Sequence, residues 1–470
     1  MHHTLGTGEF GMYHEMAKHI SVDTTVLMDP ETGPGEIDRV LGTMMFERRP
    51  VYVGVPVDMS CLLCDAAGLR TPIETDLPSN DQNLESKVVA ELRYLLESKY
   101  HPIIIVDGNA IRKNLVPECK KLSELTSLPT LTTCMGKGGP DETTSNFGGV
   151  YEGSGSHEGV KNAFETSDCV FWIGRVQTDF NAGEFTDKVA TEVTVEFQRF
   201  FIKIITWKYG LKMVHVLRAL IRDLEAEPLE RTEVAKVDWN PSPANDPRRE
   251  AKLTQDYLWP VSTLSLLISL ILNTNISIDP RQVLQTKRPH HRRNRLKYTS
   301  AFGLADSKLP SGATMYNQTV YGSIGYATGA ALGAFKAIRE SSGGKYKRLI
   351  LVTGEGSLHL TVQTFADLFK LELNPIMFVL KNDGYTVERL IHGKEAYVIL
   401  NLLASSNPDA DNVDAAPTTS FPTGTTHSWR LLSALPTLQS TTVPSRRRSS
   451  STNCWRMRIL AKRSASSSWN

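Results

Sequence analysis

The hydrophobic pattern between residues 82 and 238 alternates between helix-like and strand-like segments. From Lys87 to Ser98 the apolar residues recur about every 3.6 positions, which predicts a helix with one buried face. Ile103–Val106 is a continuous β-branched run, typical of a strand buried on both faces, and Val170–Ile173 and Val193–Val195 repeat this pattern. The apolar helix positions are Val88, Val89, Leu92, Leu95 and Leu96. This alternation predicts an α/β domain with a largely parallel sheet.

Ordered patterns also flank this central domain. Near the start of the chain, the apolar run Val51–Val55 lies between two prolines and predicts a short strand. A helix precedes it, with its apolar face at Ile37, Val40 and Leu41. Between residues 299 and 401, a helix precedes two predicted core strands, Leu349–Val352 and Ile376–Leu380. Small residues that would allow close packing fill that helix: Ala327, Gly329, Ala330, Ala331, Gly333 and Ala334.

Two segments, 261–298 and 402–470, lack a sustained helix or strand period. The first contains the basic run Lys287–Arg295, and the second is rich in Ser, Thr, Pro and Ala. A disordered linker and tail would give this pattern. We favour a second interpretation, translated non-coding or frame-shifted sequence. The expected units are therefore 1–60, a linker 61–81, a central α/β domain 82–240, a linker with an aberrant segment 241–298, a domain 299–401 and an irregular tail 402–470.

Composition narrows the functional classes only slightly. Lys and Arg (52) balance Asp and Glu (51), so charge gives no argument for nucleic acid or an anionic membrane as a partner. Six cysteines are too sparse for a disulfide framework, which favours a reducing, cytoplasmic location. Cys61 and Cys64 form a C-x-x-C pair, but no second pair or spaced histidines accompany it, so we do not assign zinc or redox chemistry. The apolar stretch Leu264–Leu272 is too short to span a membrane.

Candidate chemistry begins at Gly354-Glu355-Gly356-Ser357, directly after a predicted buried strand. Glycines let a backbone approach a phosphate, and an acidic side chain can hold a divalent cation that neutralises phosphates. A helix is expected to follow, and its N-terminal N–H groups would favour an anion. The apolar face expected for that helix comprises Val362, Phe365, Ala366 and Phe369.

A second polar loop follows the strand Ile376–Leu380. It carries Asn382 and Gly384, whose side-chain and backbone oxygens are hard ligands suited to Mg²⁺. The intervening residues suffice for one helix and one strand, so the two loops are expected side by side at the carboxyl ends of adjacent strands. Together the two loops predict a site for magnesium and a diphosphate.

The chain resembles the thiamine-diphosphate-dependent pyruvate decarboxylase family, fungal type. Gly354–Ser357 and Asn382–Gly384 resemble the family's G-D-G-S and N-D-G signature. Further segments similar to the family are Tyr385–Gly393, the opening His2–Phe10, Met135–Gly138 and Phe147–Tyr151. The resemblance covers about residues 2–260 and 299–400. It implies a three-domain α/β architecture of parallel-sheet domains with the first and last domains incomplete: a C-terminal remnant of the pyrimidine-binding domain (1–60) and a partial diphosphate-binding domain (299–401).

The resemblance implies a role for each matching residue. Glu355, which stands where most members have Asp, would bind Mg²⁺ together with Asn382 and the carbonyl of Gly384. The remaining cofactor-binding positions in these loops are Gly354, Gly356 and Ser357. Tyr321–Gly325 is similar to the family's W-G-S-I-G.

In that W-G-S-I-G segment, Gly322 would accept from the aminopyrimidine and Ile324 would support the bent cofactor. Thr299–Gly303 matches the end of the family's E-T-G-T-S-A-F-G stretch, which makes Thr299 a cofactor-binding position, although Tyr298 stands where the family has glycine. His2 and His3 would handle protons, and Glu388 would be an acid near the reacting carbon.

The implied reaction is decarboxylation of pyruvate to acetaldehyde and CO₂ with thiamine diphosphate and Mg²⁺, in a homodimer or homotetramer. The family has a cofactor-activating glutamate upstream of His2, and residues 402–470 depart from its C-terminal pattern. We therefore expect the chain as written to be inactive. Three alternatives stay open. The first is a decarboxylase for bulkier 2-keto acids such as indolepyruvate or phenylpyruvate, and the second is a non-catalytic fragment or pseudoenzyme. The third, a dinucleotide-dependent oxidoreductase, ranks lowest because no G-x-G-x-x-G motif follows a strand.

Overall fold

A computed structural model describes residues 4–188, 190–230, 236–239, 307–317, 319–341, 343, 346 and 348–380, with the backbone alone at 274–278 and 348. Its strands form three sheets of two, seven and four strands. Thirteen strands and ten α-helices are defined in the described ranges, and nearly all strand pairs are parallel. No helix within those ranges is both long enough and apolar enough to span a membrane.

The first unit is a two-stranded parallel sheet with two helices. Its elements are α1 (Met12–Lys18), β1 (Thr24–Val26), α2 (Gly33–Glu47) and β2 (Tyr52–Gly54). The strands pair in parallel, with Val26 opposite Gly54. Of the predicted helix face, Val40 of α2 is fully buried and Ile37 and Leu41 are half-buried. The strand β2 lies within the predicted strand. This unit exposes several large apolar side chains: Leu5, Phe10, Met16, Ile20, Met28 and Val57.

The middle domain is built on a seven-stranded sheet. Its helices are α3 (Gln82–Ser98), α4 (Gly108–Arg112), α5 (Val116–Thr126), α6 (Glu158–Glu165) and α7 (Met213–Ala226). Its strands are β3 (Pro102–Val106), β4 (Thr130–Thr132), β5 (Phe147–Val150), β6 (Cys169–Ile173), β7 (Thr194–Gln198), β8 (Phe201–Ile204) and β9 (Trp207–Tyr209). The order is β5-β4-β3-β6-β7-β8-β9. The strand β8 pairs antiparallel with both β7 and β9, and the other pairs are parallel.

Sequence patterning explains why this domain folds as it does. The Asp81 side chain accepts from the Leu84 amide at 2.8 Å and caps the start of α3, satisfying one of the helix's unpaired N–H groups. All five apolar positions predicted for this helix are buried against the sheet. Every residue of β3 and of β6 is buried, which confirms the predicted two-sided core strands.

The C-terminal unit is a four-stranded parallel sheet of order β11-β10-β12-β13. Its strands are β10 (Thr274–Ile278), β11 (Thr314–Asn317), β12 (Arg348–Gly354) and β13 (Ile376–Leu380). Its helices are α8 (Tyr326–Ser341), α9 (Glu355–Leu360) and α10 (Thr364–Lys370). The last two strands match the predicted ones, but β10 lies within the segment expected to be a linker. For these five residues that expectation is wrong, because the strand pairs with β11 on one side and β12 on the other.

Of two packing expectations for this unit, the one for the helix after Ser357 is wrong and the one for the small residues of α8 holds only in part. The helix expected after Ser357 is divided at 361–363 into α9 and α10, which shifts the buried face to Thr364, Phe365 and Leu368. Of the face predicted for it, Val362, Ala366 and Phe369 are exposed, and Phe365 alone is buried. In α8 the buried small residues are Ala327 and Ala331, whereas an added Cβ at Gly329 or Gly333 would meet nothing within 4 Å.

Basic side chains join the first unit to the middle domain. The helix α2 ends at Glu47, and the next residue, Arg48, adopts a left-handed conformation (φ 56°). The last carbonyls of the helix accept from the middle domain: Phe46 O from the Arg199 guanidinium, and Glu47 O from Lys113 Nζ at 3.1 Å. Basic groups are favourable at a helix C-terminus. Burial, followed by repulsion from Arg199 and the other nearby arginines, lowers the pKa of Lys113 to about 8.

This lowered pKa predicts that Lys113 makes stability depend on pH in mildly alkaline solution. In the unfolded chain its pKa returns to about 10.4, so between about pH 8 and that value the unfolded state binds more protons. Stability therefore rises with pH across this window. We expect urea unfolding of Lys113→Met to show a shallower rise than the wild type. Parallel curves for the two proteins would contradict the assignment.

Candidate functional site

The carboxyl ends of β12 and β13 lie side by side. The two strands pair in parallel, with Gly354 opposite Leu380 at their ends. Glu355 follows the first end directly, at the start of α9. Asn382 and Gly384 follow the second end in the sequence but lie outside the described residues. The predicted adjacency of the strand ends is thus confirmed as far as Leu380.

The residues around the first strand end form a compact turn. Gly354, Gly356 and Ser357 are buried, and Glu355 between them is half-buried. The Glu355 carboxylate is therefore the more exposed group of a turn whose other residues are buried. Carboxylate oxygens are hard ligands that suit Mg²⁺.

The turn Gly322–Gly325 is attached to this helix. Gly322 is buried with φ +55°, and Ile324 is half-buried. The Gly325 amide donates to Ser357 Oγ at 2.7 Å, and Thr361 Oγ1 donates to the Gly325 carbonyl at 2.9 Å. Gly325 has φ +91°, and an added Cβ would lie 2.9 Å from Thr361 Cγ2. Two segments predicted to hold one cofactor are thereby fixed to each other.

The described residues are compatible with a bound diphosphate and magnesium ion, because the Glu355 carboxylate suits the metal and two hydroxyls of the C-terminal unit have no partner. The hydroxyl oxygens of Thr353 and Thr328 are buried and have no hydrogen-bond partner among the described residues. Thr353 is the penultimate residue of β12, immediately before the Gly354–Ser357 turn, and Thr328 is near the start of α8. Buried hydroxyls of this kind require a partner, which a ligand or a water molecule supplies. The remaining predicted site residues, His2, His3, Thr299 and Glu388, lie outside the described residues, as do Asn382 and Gly384.

Two family profiles match the chain. The profile "Thiamine pyrophosphate enzyme, central domain" matches residues 89–205. The profile "Thiamine pyrophosphate enzyme, C-terminal TPP binding domain" matches residues 302–401. The first falls on the middle domain, and the second contains the strand ends described above.

Curated relatives match a longer part of the chain. A pyruvate decarboxylase of Candida glabrata is 37% identical over 402 residues, which cover 84% of this chain and 66% of that protein. A pyruvate decarboxylase of Hanseniaspora uvarum is 35% identical over 442 residues, covering 93% of this chain and 73% of that protein. The chain belongs to the pyruvate decarboxylase family of thiamine pyrophosphate enzymes.

Membership of this family agrees with the fold. A thiamine diphosphate-dependent 4-hydroxybenzoylformate decarboxylase from Rhodococcus jostii superposes with a TM-score of 0.57 at 16% identity, over 83% of this chain and 67% of that one. At this identity the superposition supports the α/β architecture alone. The chain spans about two thirds of the length of the pyruvate decarboxylases of Candida glabrata and Kluyveromyces lactis, 66% in each case.

Sequence reasoning missed Thr361 as a residue of this site. It is the first residue after α9, four positions after Ser357, and the two side chains reach the same glycine. The sequence signal was present as a hydroxyl pair at i and i+4 directly after the G-E-G turn. This pair could not be recognised from the sequence, because its partner is the turn at Gly325, which lies 32 residues before Ser357.

We expect Thr361→Val to loosen this turn. The isosteric change keeps the methyl contact but leaves the Gly325 carbonyl without its donor, at a cost of about 1 kcal/mol. Urea unfolding should show this loss, and hydrogen exchange at the Gly325 amide should become faster. Thr361→Ser retains the hydroxyl and serves as the control. Equal stability and exchange in the valine and serine variants would contradict the role of the hydroxyl.

Proposed function

We propose that this chain carries the diphosphate-binding part of a 2-keto-acid decarboxylase, which converts pyruvate to acetaldehyde and CO₂ with thiamine diphosphate and Mg²⁺. The observation that carries the proposal is the register of β12 and β13, in which Gly354 lies opposite Leu380. Parallel strands place their following loops at one edge of the sheet, which is where ligands of such sheets bind. Glu355 therefore lies at the edge from which the chain leaves β13 toward Asn382.

The chain's own residues would bind and orient the cofactor. Glu355, Asn382 and the Gly384 carbonyl would hold Mg²⁺, and the Gly354–Ser357 turn would lie against the diphosphate. Gly322 and Ile324 would meet the aminopyrimidine and the bent centre of the cofactor. The Gly325 bonds to Ser357 and Thr361 support this proposal, because they keep the two contact surfaces at a fixed separation. Thiamine diphosphate, when bound, supplies the electron sink that a 2-keto acid requires in order to lose CO₂.

Further parts of the proposal rest on the family alone. His2, His3 and Glu388 would transfer protons, and Thr299 would contact the cofactor. The substrate would be pyruvate, the name-giving substrate of the relatives. A homodimer or homotetramer in the cytoplasm completes the proposal, since the family forms its site between two subunits.

Calorimetry of the full chain tests the cofactor site. We expect heat of binding when thiamine diphosphate is titrated in the presence of Mg²⁺, and none when EDTA replaces the metal. Thiamine without its diphosphate is the matched ligand control and should not bind measurably. An absence of magnesium-dependent uptake would overturn the proposal at the level of the cofactor.

A coupled assay tests catalysis separately. Acetaldehyde formed from pyruvate is followed by NADH oxidation with added alcohol dehydrogenase, using phenylpyruvate and indolepyruvate as alternative substrates with direct detection of CO₂. Turnover of pyruvate at the highest kcat/KM supports the proposed substrate and contradicts the expectation of an inactive chain. Cofactor uptake with no turnover of any acid would retain the binding site and overturn the catalytic part of the proposal.

A further inference from the structure

A fully buried ion pair lies where the middle domain meets the C-terminal unit. Lys137 Nζ and Glu142 Oε2 are 3.0 Å apart, and both side chains have no solvent exposure. Both residues lie in the loop between β4 and β5 of the middle domain. Burying two charges costs several kcal/mol per ion unless further hydrogen bonds satisfy them. The partners of this pair therefore identify what makes its burial possible.

Those partners come from the C-terminal unit. Lys137 Nζ donates to the Ser307 carbonyl at 2.7 Å, and the Leu309 amide donates to Glu142 Oε2 at 2.7 Å. Each charged group thus has one partner within its own loop and one across the junction. If segment 307–309 moved away, both charges would lose a buried hydrogen bond. The pair therefore fixes the position of this segment and does more than stabilise the loop.

Further contacts between the same loop and the same segment extend this attachment up to the end of β11. Ser311 Oγ donates to Asp141 Oδ2 at 2.6 Å, and Asn317 Nδ2 donates to the Cys134 carbonyl at 2.8 Å. The backbone at Gly138 (φ +83°) approaches closely enough that an added Cβ would lie 3.2 Å from the Met315 amide nitrogen. The segment is consequently held from residue 307 to residue 317, five residues before Gly322.

We propose that Lys137 and Glu142 are positioning residues for the cofactor, acting across the domain junction. They hold segment 307–317 against the middle domain, and this sets where the chain enters the turn Gly322–Gly325. That turn is then fixed at its other end by Ser357 and Thr361. The effect on cofactor binding rests on the proposed function. The mechanical part of the inference, that the ion pair holds segment 307–317 in place, rests on the geometry alone.

The test replaces both charges with apolar groups of similar size, as Lys137→Met/Glu142→Leu. Such double replacements commonly keep a protein folded, whereas removing one charge leaves the other uncompensated. Without any cofactor, we expect amide exchange at Leu309 and across 311–317 to be at least tenfold faster. In the same variant, we expect the dissociation constant for thiamine diphosphate at fixed Mg²⁺ to rise about tenfold. The control is Lys121→Met/Glu225→Leu, which removes an exposed pair (3.0 Å, side chains 44% and 46% exposed) from the middle domain.

The outcomes separate this inference from the proposed function. Unchanged exchange at 307–317 in the folded double variant overturns the inference, as does faster exchange with an unchanged dissociation constant. A merely structural pair would lower the unfolding midpoint and leave cofactor affinity unaltered. Should the wild type bind no cofactor, the proposed function fails, and the exchange comparison alone decides the mechanical part. If the double variant does not fold, Glu142→Gln replaces it. In that variant, amide exchange at 307–317 that is about threefold faster supports the inference. Exchange at the wild-type rate overturns the inference.

Discussion

Asp107→Ala is expected to lower the free energy of unfolding by about 3–5 kcal/mol, because it removes the acceptor of a buried hydrogen-bond network. Asp107 is fully buried at the carboxyl end of β3, beside the point where the order of the middle sheet reverses. Its carboxylate accepts five hydrogen bonds. The donors are Gly108 N (2.6 Å), Thr133 Oγ1 (2.5 Å), Val176 N (2.8 Å), Asn181 Nδ2 (2.9 Å) and Trp172 Nε1 (3.0 Å).

The size of this effect follows from what the alanine variant would leave behind. Five donors would lose their acceptor in a dry interior, and each unsatisfied buried group costs about 1–3 kcal/mol before relaxation or water entry reduces the total. Asp107→Asn is expected to be nearly as destabilising. An amide can accept on one side only, and its NH₂ group would face the donors on the other side.

Asp168→Ala provides the matched control, measured like the Asp107 variants by urea unfolding. Asp168 is a half-buried carboxylate at the opposite end of the same sheet, and it accepts from the amides of Tyr100 and His101 at 2.8 Å each. Water can replace this acceptor, so the expected cost is about 1 kcal/mol. Losses of equal size at Asp107 and Asp168 would show that burial of the network is not what makes Asp107 important.

The middle domain was predictable because its signals are local. The helix α3 buries one face at helical spacing, and β3 and β6 are short apolar runs buried on both sides. Periodicity encodes such burial directly. The adjacency of the two strand ends was predictable for a related reason, since Gly354 and Leu380 are placed together by two strands and one crossover. This is the simplest connection that a parallel sheet allows.

Contacts between distant segments were not predictable in this way. The strand β10 has the short alternating sequence Thr-Asn-Ile-Ser-Ile, and pairing with β11 and β12 decides its conformation. The division between α9 and α10 at 361–363 coincides with the bond from Thr361 to Gly325. Lys137 and Glu142 gave no signal of burial, because charged residues are buried only when a partner elsewhere in the chain satisfies them. Each of these failures is a case in which tertiary structure overrides local propensity.

Glu355→Ala is expected to weaken magnesium-dependent binding of thiamine diphosphate by about 100-fold or more, equivalent to about 2.7 kcal/mol. Mg²⁺ requires near-octahedral oxygen coordination and partly neutralises the diphosphate. Removing the one carboxylate at the end of β12 leaves the metal with the neutral oxygens of Asn382 and Gly384 from the proposed ligand set. Calorimetry at fixed Mg²⁺ measures the effect directly. The half-buried position of Glu355 predicts only a small change in unfolding midpoint, so the loss should appear in binding and not in folding.

Two further variants serve as controls for the Glu355→Ala result. Glu355→Asp introduces the residue that most family members have, and its shorter side chain should retain binding within about tenfold of the wild type. Glu340→Ala removes an exposed carboxylate from the neighbouring helix α8, whose Oε1 atom lies 3.8 Å from Lys336 Nζ. This change should leave the affinity for thiamine diphosphate unchanged. Alanine, aspartate and wild-type proteins that all bind alike would remove Glu355 from the metal site. Because the register of β12 and β13 places Glu355 at this edge, that result would also leave the strand ends without a charged ligand from the described residues. The proposed cofactor site would then have to depend on the second loop alone.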